Sequence, residues 1–128
     1  MNTIRLKLPV RVIIAGTSNS GKTTLIQQLL SKKNDYFDGE IGKIIFCCKF
    51  TKTVPEKIKE ICEVNVGLPS SELIERLIES QEEHSIIVID DLSSEACMSK
   101  DVLHLFTTGR HINISVILVL HNLFNKER

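Results

Sequence analysis

Apolar residues follow two rhythms along this chain. Four stretches are apolar almost without interruption: RVIIAG (11–16), GKIIFCCKF (42–50), SIIVIDDL (85–92) and ISVILVL (114–120). Runs of this length, rich in β-branched residues and lacking polar alternation, predict strands buried on both faces. Between them apolar residues recur every three or four positions, which predicts helices. In KTTLIQQLLSKK (22–33) the expected face is Leu25, Leu29 and Leu30. TVPEKIKEIC (53–62) carries Ile58, Ile61 and Cys62, with Thr53 and Glu56 spaced as a capping box and Pro55 in the first turn. SSELIERLIES (70–80) lines up Leu73, Ile74, Leu77 and Ile78, and KDVLHLFTTG (100–109) reads as a helix stopping at Gly109. TIRLKL (3–8) alternates and reads as an extra edge strand. Strands that alternate with helices and are apolar throughout predict an α/β fold, a mainly parallel sheet with helices on both faces.

The chain has 128 residues, enough for one core, and no linker or repeat divides it; residues 1–128 are read as a single domain. Net charge is zero, so no global field favours nucleic acid or an anionic membrane, and basic surface must be local. No apolar run approaches the ~20 residues that span a bilayer, and the amino terminus lacks a signal-peptide pattern. An intracellular, soluble protein without a membrane partner is expected. Cys47, Cys48, Cys62 and Cys97 form no C-x-x-C pair and read as small buried hydrophobes in a reducing compartment, with a zinc site or disulfide framework as the alternative.

The first strand runs directly into Gly16-Thr17-Ser18-Asn19-Ser20-Gly21-Lys22-Thr23, which fits G-x-x-x-x-G-K-[ST]. Glycines at both ends allow backbone angles that turn successive N–H groups onto phosphate oxygens. The helix that follows aims its positive end at the same oxygens. Lys22 supplies a charge for the β- and γ-phosphates and Thr23 a hydroxyl for Mg²⁺. With Thr24, these nine residues are the candidate nucleotide-binding set. The cradle does not distinguish ATP from GTP.

Hydrolysis requires acid near the metal and the water. The third apolar run ends in Asp90 and Asp91, and a strand ending in acid at the carboxyl edge of a parallel sheet faces the ligand crevice. Asp90 is assigned to Mg²⁺ and Asp91 to polarising the attacking water. A helix N-cap is the alternative for Asp90. No arginine-rich lid of the small-molecule kinase kind is present. His121 and Asn122 follow the fourth strand; if that strand lies between the first and third, they stand where a γ-phosphate sensor would. Arg110 precedes the strand, whose length of roughly 20–25 Å keeps it from its own subunit's nucleotide. It suits either an arginine finger supplied to a neighbour or a cation at a helix C-terminus. His104 reads as a face or core residue and His84 as a loop residue.

GTSNSGKTTL, IIVIDDL and LFTTGRHINISVILVLHNLF, in that order, resemble the viral genome-packaging ATPases of the FtsK–HerA superfamily, with the nearest likeness to the poxvirus-like and Maverick/Polinton-like group. His111, Asn113 to Ile117, Leu118, Leu120 and Asn122 to Phe124 carry the narrower part of the likeness, which spans residues 9–125. The resemblance implies a P-loop NTPase fold of the additional-strand type. It also implies ATP and Mg²⁺ as cofactors, a homo-oligomeric ring, and translocation of double-stranded DNA into a capsid with capsid proteins as partners. It places nucleotide binding on Lys22 and Thr23, the acidic pair on Asp90 and Asp91, and the finger on Arg110. His121 stands where the family has a glutamine sensor, which shifts sensing toward Asn122. Such ATPases continue with another strand after the fourth. A chain stopping at Arg128 is therefore expected to be truncated or completed by a partner, with its first strand at a sheet edge.

Two rival readings differ in class. A non-catalytic nucleotide-binding module fits His121 and the early end. A GTPase is suggested by Asn125-Lys126 after the fourth strand, but the following aspartate of N-K-x-D is lacking.

Overall fold

The four apolar runs become four strands of one parallel sheet. Residues 44–48, 85–89 and 114–119 are buried on both faces, which removes such runs from water. The run 11–16 stands at an edge of the described sheet and is not, with Ile13 60% exposed. The computed structural model describes residues 5–16, 21–79, 83–90, 92, 100, 102, 104, 105 and 113–120. Strands β1 (Leu6–Lys7) and β2 (Arg11–Ala15) follow one another, and helices α1 (Lys22–Ser31) and α2 (Lys33–Tyr36) then lead to β3 (Phe37–Asp38). Then come β4 (Ile41–Cys48), a 3-10 turn (Thr51–Thr53), α3 (Glu56–Ile61), β5 (Glu63–Val66), α4 (Ser71–Glu79), β6 (His84–Asp90) and β7 (Ile114–Leu120). Lys100, Val102, His104 and Leu105 are helical.

The main sheet has the order β2-β7-β6-β4-β5, every neighbouring pair parallel. β7 thus sits between the first strand and the acid-ended third run, as the additional-strand fold requires. Among the described strands β2 is an edge.

Side chains alternate between two packed layers. On β6, Ile86 and Val88 face one layer with Ile26 and Leu30 of α1 and Ile58 of α3. Ile87 and Ile89 face the other, with Leu73, Ile74 and Leu77 of α4 and with Val102 and Leu105. Each fully buried side chain of this kind contributes about 1.5–3 kcal/mol, and helices cover both faces as expected.

Several local expectations are corrected. The buried seam of α1 is Ile26 and Leu30, while Leu25 is 44% exposed. A ten-residue helix lying on a sheet buries one narrow stripe, and the Leu25 position falls outside it. No capping box forms: α3 begins at Glu56 after Pro55, and Thr53 Oγ1 donates instead to the Phe50 carbonyl at 2.8 Å. The TIRLKL segment does not extend the main sheet; β1 pairs with β3 as a separate two-stranded ribbon. EVNV (63–66) adds a fifth main-sheet strand that the apolar pattern did not mark, being short and at an edge. His84 opens β6 rather than lying in a loop, and His104 is exposed. The expected stop at Gly109 lies outside the described residues. Cys47 and Cys48 are core residues and Cys62 is half-buried. Among the described residues no helix is long and apolar enough to cross a membrane.

Candidate functional site

β2 ends at Ala15, and Gly16 continues its ladder by one bond, its amide donating to the Leu120 carbonyl at the end of β7 at 3.2 Å. The chain re-emerges at Gly21, the N-cap of α1, with φ of 86° and ψ of 16°. This is the left-handed region that side chains other than glycine's avoid, so the second glycine of the pattern is required by the turn into the helix. Space around Gly21 is open, with nothing within 4 Å of where a Cβ would stand. The helix begins at Lys22, so the N–H groups of its first turn lack intrahelical acceptors and face the carboxyl edge of the sheet.

Lys22 is almost buried, 6% exposed, and its Nζ donates to the Gly16 carbonyl at 2.6 Å. The ammonium is thereby held across the mouth of the loop rather than extended into solvent. Thr23 and Thr24 are exposed at the start of α1.

Asp90 closes β6 two strands away. Its register partner on β7 is Val119, whose partner on β2 is Ile14. Asp90 therefore lies level with a point two residues before Gly16, at a lateral distance of two strand spacings, roughly 10 Å. Alternation along β6 puts Asp90 on the face of Ile86 and Val88, the face that α1 covers. The half-buried Asp90 carboxylate and the exposed Thr23 hydroxyl both belong to the face of the sheet that α1 covers, near its carboxyl edge. Both are hard oxygen donors, the kind that Mg²⁺ selects, so this set fits the ion.

Register also brings in a neighbour that motif reading missed. Cys47 pairs with Ile89, which sets Cys48 beside Asp90. The Cys48 thiol is pushed up by burial and by the Asp90 carboxylate, with Lys59 opposing. Nothing in the spacing of the two residues, 42 positions apart, announces this contact; only pairing of β4 with β6 creates it.

The structure joins Lys22 to Gly16, sets Gly21, Thr23 and Thr24 at the start of α1, and places Asp90 at the same end of the sheet, two strands from β2. Thr17, Ser18, Asn19, Ser20, Asp91, Arg110, His121 and Asn122 lie outside the described residues.

A second polar cluster occupies the opposite edge. Ser115 on β7, fully buried, accepts a hydrogen bond from the Val10 amide and bonds His84 Nε2, both at 2.8 Å. It ties together the amino ends of the three strands that carry the candidate site and does not belong to the crevice.

A family model described as "Poxvirus A32 protein" matches residues 2–125 of the chain. No curated protein is significantly similar to it.

Proposed function

The chain belongs to the poxvirus A32 protein family, which is linked to viral DNA-packaging ATPases, and from that premise we propose that it binds ATP with Mg²⁺ and hydrolyses it to drive double-stranded DNA into a capsid. The observation that carries the reading is the pairing of a lysine-closed glycine loop on β2 with an acid on β6, across one intervening strand and on the face covered by α1.

The roles follow from the chemistry of each group. Amides from Gly16 through Thr24 cradle phosphates, and the positive end of α1 adds to their hold. Lys22 exchanges the Gly16 carbonyl for β- and γ-phosphate oxygens, a stronger, charge-assisted partner. Thr23 and Asp90 hold Mg²⁺, which neutralises charge on the phosphates when bound. Asp91, directly after the metal-holding acid, orients the attacking water. Asn122, with His121 beside it, follows β7 and senses the γ-phosphate. Arg110 precedes the amino end of β7, the edge opposite the crevice, and acts on the nucleotide of the next subunit in a homo-oligomeric ring. A finger of that kind is worth about 10³–10⁵ in rate.

The deciding experiment measures phosphate release by the purified chain with ATP, with and without Mg²⁺ and duplex DNA. Mg²⁺-dependent turnover stimulated by DNA is expected. Tight ATP binding with no turnover under any of these conditions would instead establish a non-catalytic nucleotide module.

A further inference from the structure

The loop after β4 leaves the sheet at the same carboxyl edge as the candidate site. Cys48, beside Asp90, is its last sheet residue, and Phe50 stands two positions further on. Phe50 is 64% exposed, yet the segment that carries it is built. Its carbonyl accepts from Thr53 Oγ1 at 2.8 Å and from the Thr53 amide at 3.3 Å. The Val54 amide closes the turn on the Thr51 carbonyl at 3.2 Å, and Val54 anchors it in the core at 5% exposure. β5 ends alongside, the Gly67 amide donating to the Cys48 carbonyl at 2.8 Å, so that Val66, also exposed, stands at the same corner.

A single exposed apolar side chain is ordinary on protein surfaces. What distinguishes Phe50 is the charge around it. Residues 49–59, KFTKTVPEKIK, hold four lysines against one glutamate, a local excess of three positive charges in a chain whose net charge is zero. Lys59 is paired with that glutamate, Glu56, at 3.6 Å. Lys49 and Lys52, on either side of Phe50, are exposed and make no ion pair among the described residues. An ordered turn presenting an aromatic ring between two uncommitted ammonium groups matches a nucleic-acid strand, whose phosphates pair with lysine and whose sugars and bases lie against aromatic faces.

We propose that Lys49, Phe50 and Lys52 form a DNA-contacting loop, Lys49 and Lys52 taking backbone phosphates and Phe50 packing on the sugar or base between them. The inference rests on the DNA-motor reading and names the surface by which that motor would hold its track. The loop begins directly after Cys48, and Cys48 adjoins Asp90.

The test uses the full chain and fluorescein-labelled DNA of one sequence, as duplex and as single strand, with affinity read by anisotropy across a salt series. Lys49→Ala/Lys52→Ala is expected to weaken both complexes at least about tenfold and to lower the salt slope by about 1.8 for the duplex and about 1.4 for the single strand, the loss of two phosphate contacts. Lys7→Ala/Lys32→Ala removes the same charge elsewhere and should keep the wild-type slope. Phe50→Ala is expected to weaken the single-strand complex about tenfold, and unchanged affinity for both DNA forms overturns its role. Melting midpoints of all variants should match wild type. If wild type binds DNA and Lys49→Ala/Lys52→Ala binds it equally with an unchanged slope, the loop inference fails while the motor reading stands. If wild type binds neither DNA form at low salt, both fail. If the loop variants alter sedimentation but not DNA affinity, the surface joins copies of the chain and the inference is overturned.

Discussion

The ammonium of Lys22 and the carbonyl of Gly16, six residues apart, are joined at 2.6 Å. The two end residues of the G-x-x-x-x-G-K pattern are thus tied directly, and the lysine is stored beside the position where it would meet phosphate. Lys22→Ala is expected to reduce ATP turnover by about 10²–10³, the usual cost of losing one preorganised donor to developing charge. Phosphate release measures the loss, and the ATP-induced rise in melting temperature should fall with it. Turnover at the wild-type rate would remove Lys22 from the mechanism.

Asp90→Asn keeps the shape of the side chain and removes its charge. Mg²⁺-dependent turnover should drop at least about a hundredfold, and the Mg²⁺ concentration for half-maximal activity should rise. A second readout comes from Cys48, whose thiol the Asp90 carboxylate helps to push up. In Asp90→Asn, assayed without Mg²⁺, Cys48 should be alkylated faster than in wild type. An unchanged rate would argue against the adjacency.

Ser115 joins the Val10 amide and His84 at the far edge of the sheet. Ser115→Ala leaves both groups without this partner and should destabilise the chain by about 1–3 kcal/mol, read as a lower urea midpoint. The crevice is at the other end of the strands, so nucleotide affinity at a temperature where the variant is folded should change little.

His84 carries a pH dependence whose sign follows from its burial. Desolvation lowers its pKa below the ordinary 6.5. The unfolded chain therefore binds the proton first as pH falls, and protonation favours unfolding. The stability contributed by neutral His84 is complete above the unfolded value and is lost as pH falls through it toward the lower folded value. Urea midpoints should decline over that window in wild type and decline less in His84→Gln. Equal slopes for the two proteins would show that His84 is not the group responsible.

Cys47 is pushed up to about 12 by burial, against a weak opposing hydrogen bond from the Asn65 amide. Near neutral pH the thiol stays protonated, and the thiolate is the reactive form. Cys62, pushed up to about 11 and half-buried, should also react slowly. With a disulfide reagent, peptide mapping should find Cys47 unmodified in the native chain and modified after denaturation. Rapid native labelling of Cys47 would contradict its place in the core.

Much of this architecture is legible in the residues alone. SIIVIDDL and ISVILVL are apolar enough to require strands buried on both faces. RVIIAG reads equally as a strand, although its edge position leaves Ile13 exposed, and glycines at the two ends of a lysine-closed loop announce where the chain must turn. Gly21, at a φ of 86°, is the case in point: local sterics decide it, whatever packs nearby. EVNV is not legible as a strand because four residues at a sheet edge have little apolar pattern to show. Leu25 is exposed despite its spacing, because spacing gives a helix its stripes while only the facing sheet selects which stripe is buried. Thr53 had the spacing of a cap but turned its hydroxyl to the Phe50 carbonyl, since Pro55 set the helix start instead.

The sequence by itself determined the strands, the loop and its lysine, because these depend on local sterics and on apolar runs that must leave water. The insertion of β7 between β2 and β6, the alignment of Asp90 with the end of β2, the neighbourhood of Cys48 and Asp90 and the presentation of Phe50 were decided only by the tertiary structure. Those relationships rest on the register between strands far apart in the chain, and register is chosen by how whole faces pack, which no local pattern encodes.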